Sequence, residues 1–170
     1  MKEVLLYIKL AEQKVQCRLC AHACIILEGK FGFCGVRQNI QGVLYANNYG
    51  KLVASNVDPV EKKPLYHFLP GTKTFSIASS GCNFRCGFCQ NWQISQINYI
   101  NQNPGEEIAA TEIVNLAKQN GCQSIAYTYT EPTIYFEFAL ETVKLAKAAG
   151  LYNIFVTNGY MSAQAISLIK

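Results

Sequence analysis

The sequence predicts an α/β fold: an open partial (β/α) barrel of three βα units, preceded by a small irregular Cys-rich N-terminal segment with short strands. Three observations predict it. Residues 73–170 run strand, helix, strand, helix, strand, helix, and such alternation places parallel strands beside one another through right-handed crossovers. Residues 1–72 lack that period and carry four of the eight cysteines. Half of the 170 residues are hydrophobic, which supports a real core and argues against disorder.

The N-terminal segment contributes two β-like runs, Gly42 to Ala46 and Lys51 to Val57. Between them and residue 73 lies a stretch with Pro59, Pro64 and Pro70, which excludes a long helix or a central strand. Its aromatic residues need a surface to pack on, so it reads as an ordered connecting arm, with His67 as a core-packing histidine. In the second part, Thr74 to Ser79 is the first strand. Ala109, Ile113, Leu116 and Ala117 fall on one helical face, and Asn120-Gly121 supplies the stop. Ser124 to Tyr129 is the second strand. Ile134 to Ala149 is a helix with Pro132 at its start and Gly150 past its end. Leu151 to Val156 is the third strand, and Ser162 to Lys170 begins a third helix. A closed barrel of eight units takes about 250 residues. Residues 73–170 therefore read as a half-barrel, truncated or split from a larger protein, with an exposed sheet edge prone to association.

Composition narrows the function classes. Charged residues are 15% and the net charge is +4, too weak to argue for nucleic acid. The apolar run Val4 to Ile8 is far short of the roughly 18 residues a membrane span needs. No signal-peptide pattern appears, so a cytoplasmic protein is the expectation. In a reducing compartment clustered thiols point to metal or catalysis rather than to disulfides. Cys122 stands alone at a helix-to-strand turn and reads as a small buried hydrophobe.

The sharpest motif follows the first strand: Cys82, Cys86 and Cys89, spaced C-x3-C-x2-C. Three thiolates from one tight loop can hold three irons of a [4Fe–4S] cluster and leave the fourth iron open to a cofactor or substrate. The alternatives are a zinc knuckle or a redox thiol pair. Cys17, Cys20, Cys24 and Cys34 form a second group, spaced C-x2-C-x3-C-x9-C. Four soft ligands suit a closed tetrahedral zinc site first, a second Fe–S cluster next, and ordinary packing of thiols as the remaining reading. His22 either replaces one of these cysteines or packs nearby.

The C-x3-C-x-aromatic-C loop after a first strand resembles the radical S-adenosylmethionine (radical SAM) superfamily. The resemblance implies a [4Fe–4S] cluster on Cys82, Cys86 and Cys89, with S-adenosylmethionine bound at the open iron and Phe88 in the aromatic slot near adenine. It also implies an electron donor and a 5′-deoxyadenosyl radical that abstracts hydrogen. Relatives often end the second strand with Gly-Gly-Glu facing the methionine amine; here Tyr129 and Thr130 replace both glycines before Glu131. A Glu in a first helical turn is also favoured by the helix dipole alone. The third strand ends Thr157-Asn158-Gly159, which resembles glycyl-radical-enzyme activases and puts Asn158 in the cofactor cavity; a turn-forming Asn-Gly is the plainer reading.

More specifically, Cys17 to Arg37, the Pro59-to-Phe68 arm and the Cys82 loop resemble the N-terminal half of radical SAM enzymes of the AmmeMemoRadiSam system. These are related to pyruvate formate-lyase activating enzymes. The resemblance implies an oxidoreductase acting on a protein, peptide or small molecule, with a C-terminal half as a further partner. The competing class is a non-catalytic Fe–S or zinc module, or an inactive fragment that associates with another chain.

Overall fold

A computed structural model describes residues 1–96 and 105–170. The N-terminal part is built from short antiparallel pieces. Strands β1 (Lys2–Glu3), β2 (Tyr7–Lys9), β3 (Val15–Cys17), β4 (Ile25–Ile26), β5 (Arg37–Ile40) and β6 (Val43–Ala46) form two three-stranded sheets, ordered β1-β6-β5 and β2-β3-β4. The β5–β6 hairpin turns on Gln41 and Gly42, both at positive φ (52° and 77°). Two left-handed residues make the tight loop whose twist matches the strands, and glycine adopts that conformation without cost. Period-2 burial follows: Arg37 and Asn39 point inward from β5, Leu44 and Ala46 from β6.

Strand β7 (Lys51–Leu52) pairs with β10 (Glu106–Glu107), and β8 (Ala54–Pro59) leaves the N-terminal part altogether. It runs antiparallel along β9 (Lys73–Ala78), from Ala54 opposite Ala78 to Pro59 opposite Lys73. The expected single run from Lys51 to Val57 is thus split between two sheets. Strand β9 is followed by the short helix α1 (Trp92–Ser95), then α2 (Ala110–Gln119), β11 (Ser124–Tyr127), α3 (Phe136–Ala148), β12 (Tyr152–Phe155) and α4 (Ala163–Ile169). Strands β9, β11 and β12 are parallel, and the main sheet is ordered β12-β11-β9-β8. The fold is therefore mixed α/β with several sheets, and no closed barrel forms among the described residues.

One face of the main sheet, carrying Phe75, Ile77, Ile125 and Tyr127, packs on Ile113 and Ala117 of α2 and Phe138 and Ala139 of α3. Cys122 is buried in this core. The opposite face is covered by the proline-containing arm: Val60 is buried with Ala126 and Ile154, and Leu65 and Phe68 pack against them. Tyr66 and His67 are exposed, so His67 is not a core residue. Pro64 at φ 27° and Leu69 at φ 48° flank this stretch, in which Leu65 and Phe68 face the sheet. A second core joins the N-terminal sheets to the helices: Val4, Val15, Leu19, Ile26 and Leu44 surround Phe136 and Leu140 of α3. Each such side chain contributes about 1.5–3 kcal/mol by leaving water.

The second strand ends earlier than its β-rich sequence suggests. Tyr129 takes a left-handed turn at φ 62°, which breaks the ladder after Tyr127. The helix after it opens with a 3-10 turn over Pro132–Tyr135, capped by Glu131, whose side chain accepts from the Thr133 N–H. Proline at the first helical position needs no hydrogen-bond partner for its nitrogen.

Candidate functional site

Three parallel strands deliver three loops to one edge of the sheet. Strand β9 ends at Ala78, and Ser79-Ser80-Gly81 leads into the Cys82 loop. Gly81 lies at φ 97°, and a Cβ there would meet Val36 Cγ1 at 2.7 Å and the Cys34 carbonyl oxygen at 3.0 Å. Only glycine lets the loop pass this close to the N-terminal segment. Beyond it, Cys82, Cys86 and Cys89 are all half-buried, on a turn closed by Cys89 N–H donating to the Cys86 carbonyl at 3.3 Å. The Cys82 sulfur accepts from the Phe84 N–H at 3.3 Å, and the Cys89 sulfur lies 3.3 Å from the Ser95 hydroxyl. Burial pushes the Cys82 thiol pKa up, and the neighbouring Glu131, Cys86 and Cys89 add to the shift. The Cys82 sulfur is therefore close enough to Cys86 and Cys89 to feel both. Phe88 stands outward, 90% exposed.

Glu131 is 3% exposed and ties the second and third strand ends together. Its Oε1 accepts from the Thr133 N–H at 3.1 Å and the Thr157 hydroxyl at 2.7 Å, and its Oε2 accepts from the Asn158 N–H at 2.7 Å. Asn158 then reaches the Cys82 loop: its Nδ2 donates to Asn83 Oδ1 at 2.8 Å. Asn91 Nδ2 donates to the Tyr129 carbonyl at 2.8 Å, and the Thr130 hydroxyl donates to the Ser79 carbonyl at 2.6 Å. The ends of β9, β11 and β12 are thus one hydrogen-bonded unit. The structure brings Cys82, Cys86, Cys89, Glu131 and Asn158 to this edge.

The second cysteine group lies directly against the first. Cys17, Cys20, Cys24 and Cys34 line one small cavity together with Asn83 of the Cys82 loop. His22 Nε2 is 2.7 Å from the Asn83 carbonyl oxygen, and its ring stacks on Phe33 at 4.4 Å. Arg85 Nη2 donates to the Phe33 carbonyl at 2.8 Å, with its guanidinium over the Phe33 ring. Burial pushes the Cys17, Cys20 and Cys34 thiol pKa values up, opposed in part by backbone N–H donors and, for Cys17 and Cys34, by the charge of Arg37. Among the described residues, no group of three or more His, Cys, Asp or Glu side chains stands arranged around a single metal ion. That arrangement is not what a cubane requires, because its thiolates bind different irons rather than one point.

Sequence reasoning missed Asn83, Arg37 and Glu137. A polar residue directly after Cys82 was the available signal for Asn83. Glu137, flanked by Phe136 and Phe138 on a helix, was the signal for a buried charge that needs a distant partner.

Comparison with known proteins settles the family. The Radical SAM superfamily model matches residues 76–170, from within β9 to the last described helix. The chain belongs to the radical SAM superfamily. It is 47% identical over 169 residues to the uncharacterized protein MJ0808 of Methanocaldococcus jannaschii, covering 99% of this chain and 50% of the relative. It is 24% identical over 159 residues to the uncharacterized protein MJ0674 of the same organism, covering 91% of this chain and 42% of that relative. The chain spans half or less of the length of these curated relatives. No solved structure matches. A radical SAM domain implies, in general, a [4Fe–4S] cluster, S-adenosylmethionine and a source of electrons. Among the described residues no helix is long and apolar enough to cross a membrane.

Proposed function

We propose that this radical SAM chain binds a [4Fe–4S] cluster through Cys82, Cys86 and Cys89 and S-adenosylmethionine at the strand ends beside it. One observation carries the reading. The cysteine loop hangs from the end of β9 and is bonded through Asn83 and Asn91 to the loops after β12 and β11, with N–H and O–H groups already beside two of its sulfurs. The residues fit the group: three half-buried thiols on one loop, each free of disulfide, with polar donors that favour thiolate. When bound and reduced, the cluster supplies the electron that cleaves S-adenosylmethionine to methionine and a 5′-deoxyadenosyl radical.

The protein's part is placement and exclusion of water. Glu131 holds the β12 end by two bonds and keeps acceptor capacity on Oε2, where a carboxylate oxygen takes more than the one donor it has here. That position suits the methionine amine, as a charge-assisted hydrogen bond. Asn158 joins Glu131 to the cluster loop, and the outward ring of Phe88 suits an adenine face. The three βα units then form part of a half-barrel over residues 73–170, with residues 1–72 as a Cys-rich N-terminal segment and connecting arm packed against it. Hydrogen abstraction from a protein, peptide or small molecule follows, with activase-like radical transfer to a partner protein as one form. The region beyond this chain in its longer relatives is the natural source of further substrate contacts.

The test is 5′-deoxyadenosine formation by anaerobically reconstituted, dithionite-reduced protein beside a Cys86→Ala variant. Wild-type protein with cluster iron and sulfide forms the product and the variant does not. A colourless wild-type protein that holds zinc at Cys82, Cys86 and Cys89 refutes the reading in favour of a structural module. Full iron and sulfide loading without product assigns the chain a binding role only.

A further inference from the structure

Four cysteines within a span of 18 residues share one cavity of about 20 Å³ with Arg37 and Asn83. That is room for about one water-sized particle. A cubane of four irons and four sulfides does not enter such a space, whereas one ion does. Two buried N–H donors on residues that line this space have no hydrogen-bond partner. Arg37 is 1% exposed and its Nε has no hydrogen-bond partner, although both terminal nitrogens bond Glu137. Asn83 is 1% exposed and its Nδ2 is likewise unpaired. An unpaired buried donor costs about 1–3 kcal/mol. Both belong to residues that line the thiol-lined space, where thiolates would supply an acceptor.

As they stand, the thiols are not gathered on one point. Each has a single rotatable bond to its sulfur, so side-chain rotation is the motion by which they would gather.

We infer that Cys17, Cys20, Cys24 and Cys34 bind one thiophilic divalent cation, zinc in kind, with Arg37 Nε and Asn83 Nδ2 donating to its thiolates. Binding converts the thiols to thiolates and releases their protons to solvent. The centre is structural: four protein ligands close it, and no position is left for substrate. It also braces the catalytic loop. Asn83 sits next to Cys82, takes the contact from His22 at 2.7 Å and accepts from Asn158, so ordering this cavity orders the loop that follows β9.

The inference is independent of the cluster proposal, and its test is kept separate. Protein in which Cys82, Cys86 and Cys89 are all changed to Ala is purified without added iron and analysed for metal. One zinc per chain is expected, and replacement by cobalt(II) gives the sulfur-to-cobalt charge-transfer and ligand-field absorption of a tetrahedral thiolate site. Zinc X-ray absorption on the unaltered chain checks the ligands without any variant: four sulfurs at about 2.3 Å are expected. Asn83→Leu should weaken zinc retention against a competing chelator by about 10–100-fold. A zinc shell of nitrogen and oxygen, iron with sulfide in the triple variant, or metal at background level would each overturn the inference. Unchanged retention in Asn83→Leu would remove Asn83 from the site.

Discussion

Replacing Glu137 by Gln is the most direct probe of how the N-terminal segment is held to the helices. Arg37 on β5 and Glu137 on α3 are 100 residues apart and form a two-pronged pair, with Nη2 to Oε2 at 2.6 Å and Nη1 to Oε1 at 3.1 Å. Their side chains are 2% and 4% exposed. Glu137 Oε1 also accepts from the Leu5 N–H at 3.1 Å. The Gln side chain keeps the volume and one carbonyl acceptor, so the loss isolates the charge. Stripping the counter-charge from a buried ion costs about 3–5 kcal/mol, against a total stability of about 5–15 kcal/mol for a domain. With a urea slope of about 2 kcal/mol per molar, a loss of about 4 kcal/mol moves the unfolding midpoint down by about 2 M. The assay is urea unfolding of the anaerobic, reduced chain, followed by far-ultraviolet circular dichroism. A double change, Arg37→Met with Glu137→Leu, removes both charges and should lose less than Glu137→Gln alone. A midpoint for Glu137→Gln within about 0.3 M of wild type would refute the reasoning, because it would mean that the guanidinium is solvated and not buried.

Acid should act through the same pair. Burial alone would raise the Glu137 pKa, but the charge and hydrogen bonds of Arg37 outweigh it and leave the carboxyl below its ordinary value of 4.5. A depressed folded pKa means stability that is present above the unfolded value and lost as pH falls through the folded one. Wild-type stability should therefore drop as pH falls from about 4.5, and Glu137→Gln should show a flatter acid limb; parallel limbs would count against the pair. Asp58→Asn should cost about 3–5 kcal/mol, because Lys63, 2% exposed at its side chain, loses its partner at 2.7 Å; thermal unfolding reads this, and an unshifted midpoint would sink it. Gly81→Ala should destabilise by about 1–3 kcal/mol, since its Cβ would enter Val36 and the Cys34 carbonyl, and equal melting temperatures would show that the loop has room to move.

The readable part of this protein lay in short-range patterns. The spacing of Cys82, Cys86 and Cys89 after a β-rich run resembles the radical SAM superfamily, and the family match over residues 76–170 bears out that membership. The apolar faces of α2 and α3 and their glycine stops predicted both helices to within a few residues. Strand ends were less readable, because Tyr129 continues the β-rich composition while its backbone turns left-handed.

Alternation and spacing are properties of neighbouring residues, so the chain alone specified the parallel βα units and the two cysteine groups. Partnership across the chain is different. Only the folded arrangement set β8 against β9, buried Arg37 on Glu137, left His67 in solvent, and laid Asn83 between the two cysteine groups. Each of these depends on which surfaces meet after collapse, when burial forces a charge or an amide to find its partner wherever the topology places one.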